Sequence, residues 1–212
     1  RLCSRIITLG SLSRTAAGSL ARFAGTALLI LTLGACGPKP SGFHATDITG
    51  ADYAGDFALK DHNGTPRTLA DFRGKVVTMF FGYTQCPDVC PTALTMMKEA
   101  MALLGADAAR VQVLFVSVDP ERDTPELLAQ YVPAFDPAFL GLYTDPEKTA
   151  DLAKEFKVFY QKQAGSSPGT YTVDHTAGTY AYDPQGRLRL YIRHGETAQN
   201  VADDLKQLLS GK

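Results

Sequence analysis

The sequence has no tryptophan, only four cysteines in 212 residues, and no surplus of positive charge. Without tryptophan there is no Trp-Cys-x-x-Cys redox motif. Four cysteines are too few for a disulfide-built scaffold, which needs more of them and larger loops. The formal charge is -1, but residues 1–35 hold four arginines and no acidic residue, which leaves 17 basic against 22 acidic residues, a net of -5. An acidic body speaks against nucleic acid and for a small or basic partner. Internal repeats and low-complexity tracts are also absent. What remains, 45% hydrophobic and 20% charged, fits one ordinary globular domain with a short appendage.

A long apolar run is missing too. The longest candidate, in "FAGTALLILTLGAC", has an apolar core over 23–33, about half of the ~20 residues a spanning helix needs. It follows Arg1, Arg5, Arg14 and Arg22, and small residues precede Cys36. This is the pattern of a targeting signal, and "LGAC" resembles the lipobox of bacterial lipoproteins. The resemblance implies cleavage before Cys36 and acylation of its thiol and new amino group. An uncleaved anchor is the alternative, and both place the domain outside the cytoplasm. The expected organisation is a signal peptide over 1–35, lipidated Cys36 with a flexible tether to residue 51, and one domain over 52–212. Cys3 leaves with the signal, so the folded body keeps only Cys86 and Cys90.

Along that body, "DFALKDHNGTPRTLADFRG" predicts a hairpin turning at Asn63-Gly64. "KVVTMFF" (75–81) and "VQVLFVSVD" (111–119) are continuous apolar strands of the doubly buried kind. Between them Leu94, Met97, Ala100, Met101 and Leu104 recur at helical spacing and stop at Gly105. Helices are expected over 124–135 and 145–156, each opened by a capping residue and proline. A hairpin follows over 178–193, then a helix over 197–209. Strand–helix–strand–helix with a closing hairpin and helix is an α/β layout around a mixed sheet. It looks like a thioredoxin-like fold with an N-terminal hairpin extension and a late β-hairpin beside the loop that carries His175.

In "FFGYTQCPDVCPTAL" the two cysteines fall where a central strand ends and the next helix begins, the edge at which α/β sheets collect reactive groups. Each precedes a proline, which biases both away from helical geometry. Pro91 is tolerated in a first helical turn. A disulfide across Cys86 and Cys90 would close a small ring, adding little stability and some strain. A metal bridging two sulfurs at ~2.3 Å each tolerates the wider spacing. The helix terminus would favour thiolate, the form that exchanges disulfides and binds soft metals.

Of the four histidines, His44 lies in the tether, His62 beside a turn and His194 in a polar loop. His175, in "YTVDHTAGTYAYDPQG", falls in the region that faces the active cysteines in thioredoxin-like folds. Asp174 or Asp119 could orient it, whereas Asp88 and Asp123 read as caps or turn residues.

"FFGYTQCPDVCPTAL", "VSVDPERDTPE", "FKVFYQK" and "YTVDHTAGTYAYDPQG" together resemble the successive signatures of the SCO/SenC family, copper-delivery proteins of cytochrome c oxidase assembly. The likeness runs from about residue 52 to 208. It implies that Cys86, Cys90 and His175 bind one copper. Two thiolates and an imidazole suit Cu(I), and an added water suits Cu(II); zinc stays open if a carboxylate completes the set. The implied partners are the copper-site subunit of cytochrome c oxidase, an extracytoplasmic thiol reductant or another copper carrier, and the membrane through the lipid. Cys86 and Cys90 could instead form a thiol–disulfide oxidoreductase that keeps the oxidase cysteines reduced, a role that needs no His175. A peroxide-reducing relative is disfavoured, since Tyr83 stands where such enzymes commonly carry Ser or Thr.

Overall fold

The computed structural model describes residues 42–165 and 167–212, so the expected signal peptide, Cys36 and the start of the tether lie outside the described residues. Two apolar segments set the centre. β4 (Val76–Gly82) and β5 (Val111–Ser117) are buried along their whole length and pair in parallel, Val76 opposite Val111 through to Gly82 opposite Ser117. Parallel neighbours need a crossover, and α1 (Val89–Leu104) supplies it with Leu94, Met97, Ala100, Met101 and Leu104 buried, the face expected from their spacing.

The remaining strands extend the sheet on both sides. They are β1 (Thr46–Asp47), β2 (Ala58–Asp61), β3 (Pro66–Thr68), β6 (Leu140–Tyr143), β9 (Thr179–Tyr182) and β10 (Leu188–Ile192), in the order β1-β10-β9-β4-β5-β6-β2-β3. A separate two-stranded sheet joins β7 (Tyr160–Ala164) to β8 (Tyr171–His175). α2 (Pro125–Tyr131) packs against β6, α3 (Pro146–Glu155) follows it, and α4 (Ala198–Leu209) packs against α1 and β4.

Both predicted hairpins close with the same device. Asp61 accepts the N–H groups of Asn63 (2.9 Å) and Thr65 (3.0 Å) and Nε of Arg67 (2.9 Å). Asp183 accepts the N–H groups of Gln185 and Arg187 (3.0 Å each) and Nε of Arg187 (2.8 Å). Gly64 and Gly186 take the left-handed conformation that each turn requires, with φ of 81° and 70°.

The structure departs from the sequence reading in five places, one being that His175 ends a strand, β8, where a loop beside the late hairpin was expected. Part of the expected tether is built into the domain: Thr46–Asp47 pair with β10, and buried Asp204 of α4 accepts the N–H groups of His44 (2.8 Å) and Ala45 (2.7 Å). α2 stops at Tyr131 rather than 135: Val132 keeps helical angles, φ -70° and ψ -46°, but Pro133 has no N–H to continue the helical ladder. β6 escapes the pattern because buried Gly141 interrupts its apolar run; a side chain there would meet Val132 and Leu128 at 3.1 and 3.2 Å. β7 reads "YQKQA", is largely exposed and carries no alternation. Among the described residues no helix is long and apolar enough to cross a membrane.

Candidate metal centre

β4 ends at Gly82, a loop runs over 83–88, and α1 starts at Val89, so Cys90 lies in the first helical turn. The extended bias imposed by Pro91 is therefore overridden at Cys90, whose N–H points to Cys86 Sγ at 3.4 Å. Cys90 is buried beneath the strand end. A Cβ on Gly82 would lie 2.7 Å from Cys90 Sγ and within 2.9 Å of the Phe80 and Phe115 rings, so the bare glycine is what admits the sulfur. Cys86 is half-buried, and both thiols are free.

Asp123 fixes the other side of the loop. It accepts the hydroxyls of Thr84 and Ser117 at 2.6 Å each, and the Thr84 N–H at 3.2 Å. The cap reading of Asp123 fails: α2 is capped by Thr124, which accepts the N–H of Leu127. Burial raises the Asp123 carboxyl above its ordinary range despite these bonds. Asp88 does take the cap position of α1, with no side-chain cap bond.

His175 arrives from β8, where it pairs with Tyr160. Its Nδ1 lies 3.0 Å from the Thr176 carbonyl. A carbonyl only accepts, so Nδ1 carries the hydrogen and Nε2 keeps a free lone pair. That Nε2 sits 3.4 Å from Cys90 Sγ. Phe80 and Tyr83 hold the ring edge-on, with centroids at 5.8 and 5.9 Å. The ligand atoms of Cys86, Cys90 and His175 all lie within 4.8 Å of one another. A trigonal ion about 2.3 Å from each sulfur spreads the sulfurs to about 4 Å, which this triangle accommodates. Among the described residues no fourth histidine, cysteine or carboxylate joins the cluster.

Burial sets the protonation. It pushes the Cys90 thiol well above the usual range, outweighing the bond from the Tyr83 backbone. The thiolate expected from the helix terminus is thus not favoured at Cys90 without a cation, and a bound metal reverses that balance by displacing the proton. Burial lowers His175, against the Thr176 carbonyl, so its imidazole is neutral at pH 7.

His44 and His194 are exposed, as expected. His62 is half-buried instead, and its Nδ1 accepts the N–H of Gly141 at 3.1 Å. Neither Asp174 nor Asp119 orients His175: Asp174 accepts from Gln163 at 3.0 Å, and Asp119 accepts from Tyr171 and Arg122. The sequence reading missed Tyr83, Arg122, Tyr171 and the Thr176 carbonyl. The available signal was an arginine amid three acidic residues, Asp119, Glu121 and Asp123, in the short loop after a buried strand. The site opens into a cleft of about 410 Å³ lined by Tyr83, Cys86, Pro87, Val89, Val173 and His175. A larger cavity of about 740 Å³ lies elsewhere, between the β2–β3 hairpin and the starts of α2 and α3.

A parallel β4–α1–β5 core with a Cys-x-x-x-Cys pair at the helix mouth, faced by a histidine from a separate hairpin, defines a thioredoxin-like protein of metal-thiolate type. The chain belongs to the SCO1/SenC family, whose model matches residues 45–210. It is similar to copper-bound ScoI of Bradyrhizobium japonicum, at 42% identity and a TM-score of 0.67 over 73% of this chain and 98% of that one. It is similar also to apo Sco1 of Thermus thermophilus, at 46% identity and a TM-score of 0.70 over 78% and 96%. The mitochondrial SCO2 homologue of Mus musculus is 37% identical over 155 residues, which is 72% of this chain and 61% of that protein. The match thus spans about three-fifths of that relative's length.

Proposed function

We propose that the chain binds one copper ion through Cys86, Cys90 and His175 and delivers it to the binuclear copper site of cytochrome c oxidase during assembly. The observation that carries the reading is the meeting of two sulfurs and a lone-pair-bearing imidazole nitrogen within 4.8 Å. The related ScoI of Bradyrhizobium japonicum holds copper. When bound, copper is cargo, accepted as Cu(I) by the three donors and as Cu(II) with an added water. The chain's own part is to keep Cys90 buried, to hold the His175 tautomer with Nε2 free, and to leave Cys86 facing the cleft, where a partner's ligand can enter. A reductant or a copper carrier must supply the dithiol form or the ion. A lipid on Cys36 and an extracytoplasmic position belong to the same proposal; mass analysis of the Cys36 peptide tests it.

The test is metal analysis and spectroscopy of residues 42–212, reduced and oxidised. One copper per reduced chain is expected, lost in Cys86→Ser, Cys90→Ser and His175→Ala. An unchanged Cu(II) affinity and absorption spectrum in His175→Ala would refute the site.

A second reading is supported by the free thiols themselves. Cys86 is open to the cleft and Cys90 lies beneath it, the arrangement of an attacking and a resolving thiol. Attack by Cys86 on a partner disulfide releases one partner thiol, and Cys90 then displaces the second. Two electrons and two protons pass to the partner, and a Cys86–Cys90 disulfide remains. Its rate should survive His175→Ala; a reduction potential far below that of available donors would leave no turnover.

A further inference from the structure

The histidine and the cysteines sit on separate pieces of chain, so something must fix the distance between them. β7 is exposed along most of its length, and of β8 only Val173 is buried. The hairpin is not hydrogen-bonded into the main sheet. Apart from the approach of His175 Nε2 to Cys90 Sγ and an exposed ion pair, its polar ties to the body run to Tyr83, Asp119 and Arg122. Tyr83 OH accepts the Val173 N–H at 3.1 Å, Asp119 accepts the Tyr171 hydroxyl at 2.8 Å, and Arg122 Nη1 donates to the Tyr171 carbonyl at 2.9 Å. The exposed Lys162–Glu121 pair adds little, since solvent screens it.

Arg122 differs from the others in its reach. One guanidinium donates to Asp119 at the end of β5, to the Tyr171 carbonyl on the hairpin, and to Gln85 Oε1, 3.1 Å away on the residue before Cys86. Its Cζ stacks 3.5 Å from the centroid of the Tyr171 ring and lies 5.6 Å from that of Tyr83. Nη2 is buried with no hydrogen-bond partner. A buried donor left unmade is costly, so this placement is held by what the other two nitrogens and the ring face gain. Arginine suits the task because its planar fork donates in several directions and stacks on aromatic faces, which an ammonium cannot do at once.

We propose that Arg122 is a positioning residue that couples the cysteine loop to the β7–β8 hairpin and so sets where His175 stands relative to the sulfurs. The inference deepens the copper reading and rests on it only for its metal arm. A loose hairpin would spread the Nε2–sulfur distance, and copper would then be held by two sulfurs with an intermittent third donor.

Amide hydrogen exchange in the metal-free, reduced protein tests the coupling directly. Arg122→Lys keeps a cation beside Asp119 but has one nitrogen, so the fold holds while the β8 amides exchange about tenfold faster. Amides of β4 and β5 should be unchanged. Gln85 is exposed, so Gln85→Ala folds normally, releases only the cysteine-loop arm, and accelerates β8 exchange about threefold. Acceleration spread equally over β4, β5 and β8, or none in either variant, would overturn the assignment. In competition with a Cu(I) chelator, Arg122→Lys should lose the ion about tenfold more readily than the wild-type chain. Faster β8 exchange with unchanged Cu(I) affinity would refute the positioning of His175. A wild-type chain that takes no copper would defeat the proposed function, while the exchange result would still decide the role of Arg122.

Discussion

Replacing Gly82 with alanine puts one methyl group where Cys90 Sγ, the Phe80 ring and the Phe115 ring already lie, at 2.7, 2.8 and 2.9 Å. Ordinary contacts are nearer 3.5–4 Å, so something must move. The two rings belong to the buried central strands β4 and β5, whereas the sulfur faces Cys86 and His175, which line the cleft. Overpacking of this kind costs about 1–3 kcal/mol. The lower chain entropy of unfolded alanine offsets about 0.4–1 kcal/mol of that. The net loss is about 1–2 kcal/mol, which for a domain of this size lowers Tm by roughly 2–8 °C. Because the sulfur yields first, copper affinity should fall at least about tenfold. Thermal unfolding and Cu(I) competition measure the two effects together. Gly55→Ala is the control: a Cβ there meets nothing within 4 Å, and it should leave both readings unchanged or raise stability by up to about 1 kcal/mol. A Gly82→Ala protein as stable as the parent, with unaltered copper affinity, would refute the packing argument.

Asp61 is fully buried and bonded to Arg67 and two backbone N–H groups. Burial alone would raise its carboxyl, but the Arg67 guanidinium and those N–H groups outweigh it and hold the group below its ordinary value of 3.8. Its stabilising contribution is therefore complete above the unfolded value and is lost as pH falls through the folded one. Asp61→Asn should cost about 1.5–3 kcal/mol near neutrality and flatten the acid limb of the Tm–pH curve; an unchanged acid limb would contradict the pairing. Asp204→Ala removes the acceptor for the His44 and Ala45 N–H groups, so limited proteolysis should cut within 42–51 at low protease, and an uncut strap would show that β1 holds by pairing alone. Tyr83→Phe strips the acceptor from the buried Val173 N–H. It should cost about 1–3 kcal/mol, read by denaturant unfolding, and a change below about 0.5 kcal/mol would mean the amide finds another partner.

The parts of the fold written in short-range pattern were legible in the sequence. β4, β5 and α1 announce themselves through apolar runs and helical spacing, and both Asp-x-x-Gly turns through their own residues. The candidate site was legible as far as the three side chains that meet there, since Cys86 and Cys90 share one loop and the layout brings His175 back to them. What stayed hidden depends on partners far apart along the chain. β1 pairs with β10, and the residues just before it, His44 and Ala45, are held by the Asp204 carboxylate on α4, about 160 residues further along the chain. The tautomer of His175 is set by the next carbonyl along the backbone, not by either aspartate that the sequence offered. Asp123 looked like a cap because it precedes Thr124-Pro125, yet its side chain turns inward to Thr84 and Ser117. Local motif reading assigns such a residue to the element it adjoins, while burial assigns it to the element it faces.

The three donors differ in how firmly the fold holds them, and that gradient bears on how cargo would leave. Cys90 is the most deeply buried of the three, with Gly82 and two phenylalanine rings behind its sulfur and its backbone in the first turn of α1. Cys86 sits on a loop with one face to the cleft. His175 rides an outer hairpin whose polar ties run through Tyr83, Asp119 and Arg122. Burial lowers the imidazole, so a neutral compartment does not protonate it off the metal. For the copper reading proposed above, a neutral imidazole would favour release by displacement over release by acid at pH 7. An incoming ligand through the cleft meets Cys86 and His175 before it meets Cys90. The imidazole can withdraw with its hairpin while both sulfurs still hold the ion, and two thiolates alone are a sufficient soft-donor set for Cu(I). If the chain carries copper as proposed, the donor on the outer hairpin would be the one whose departure costs the least coordination, and buried Cys90 would be the last to part with the ion.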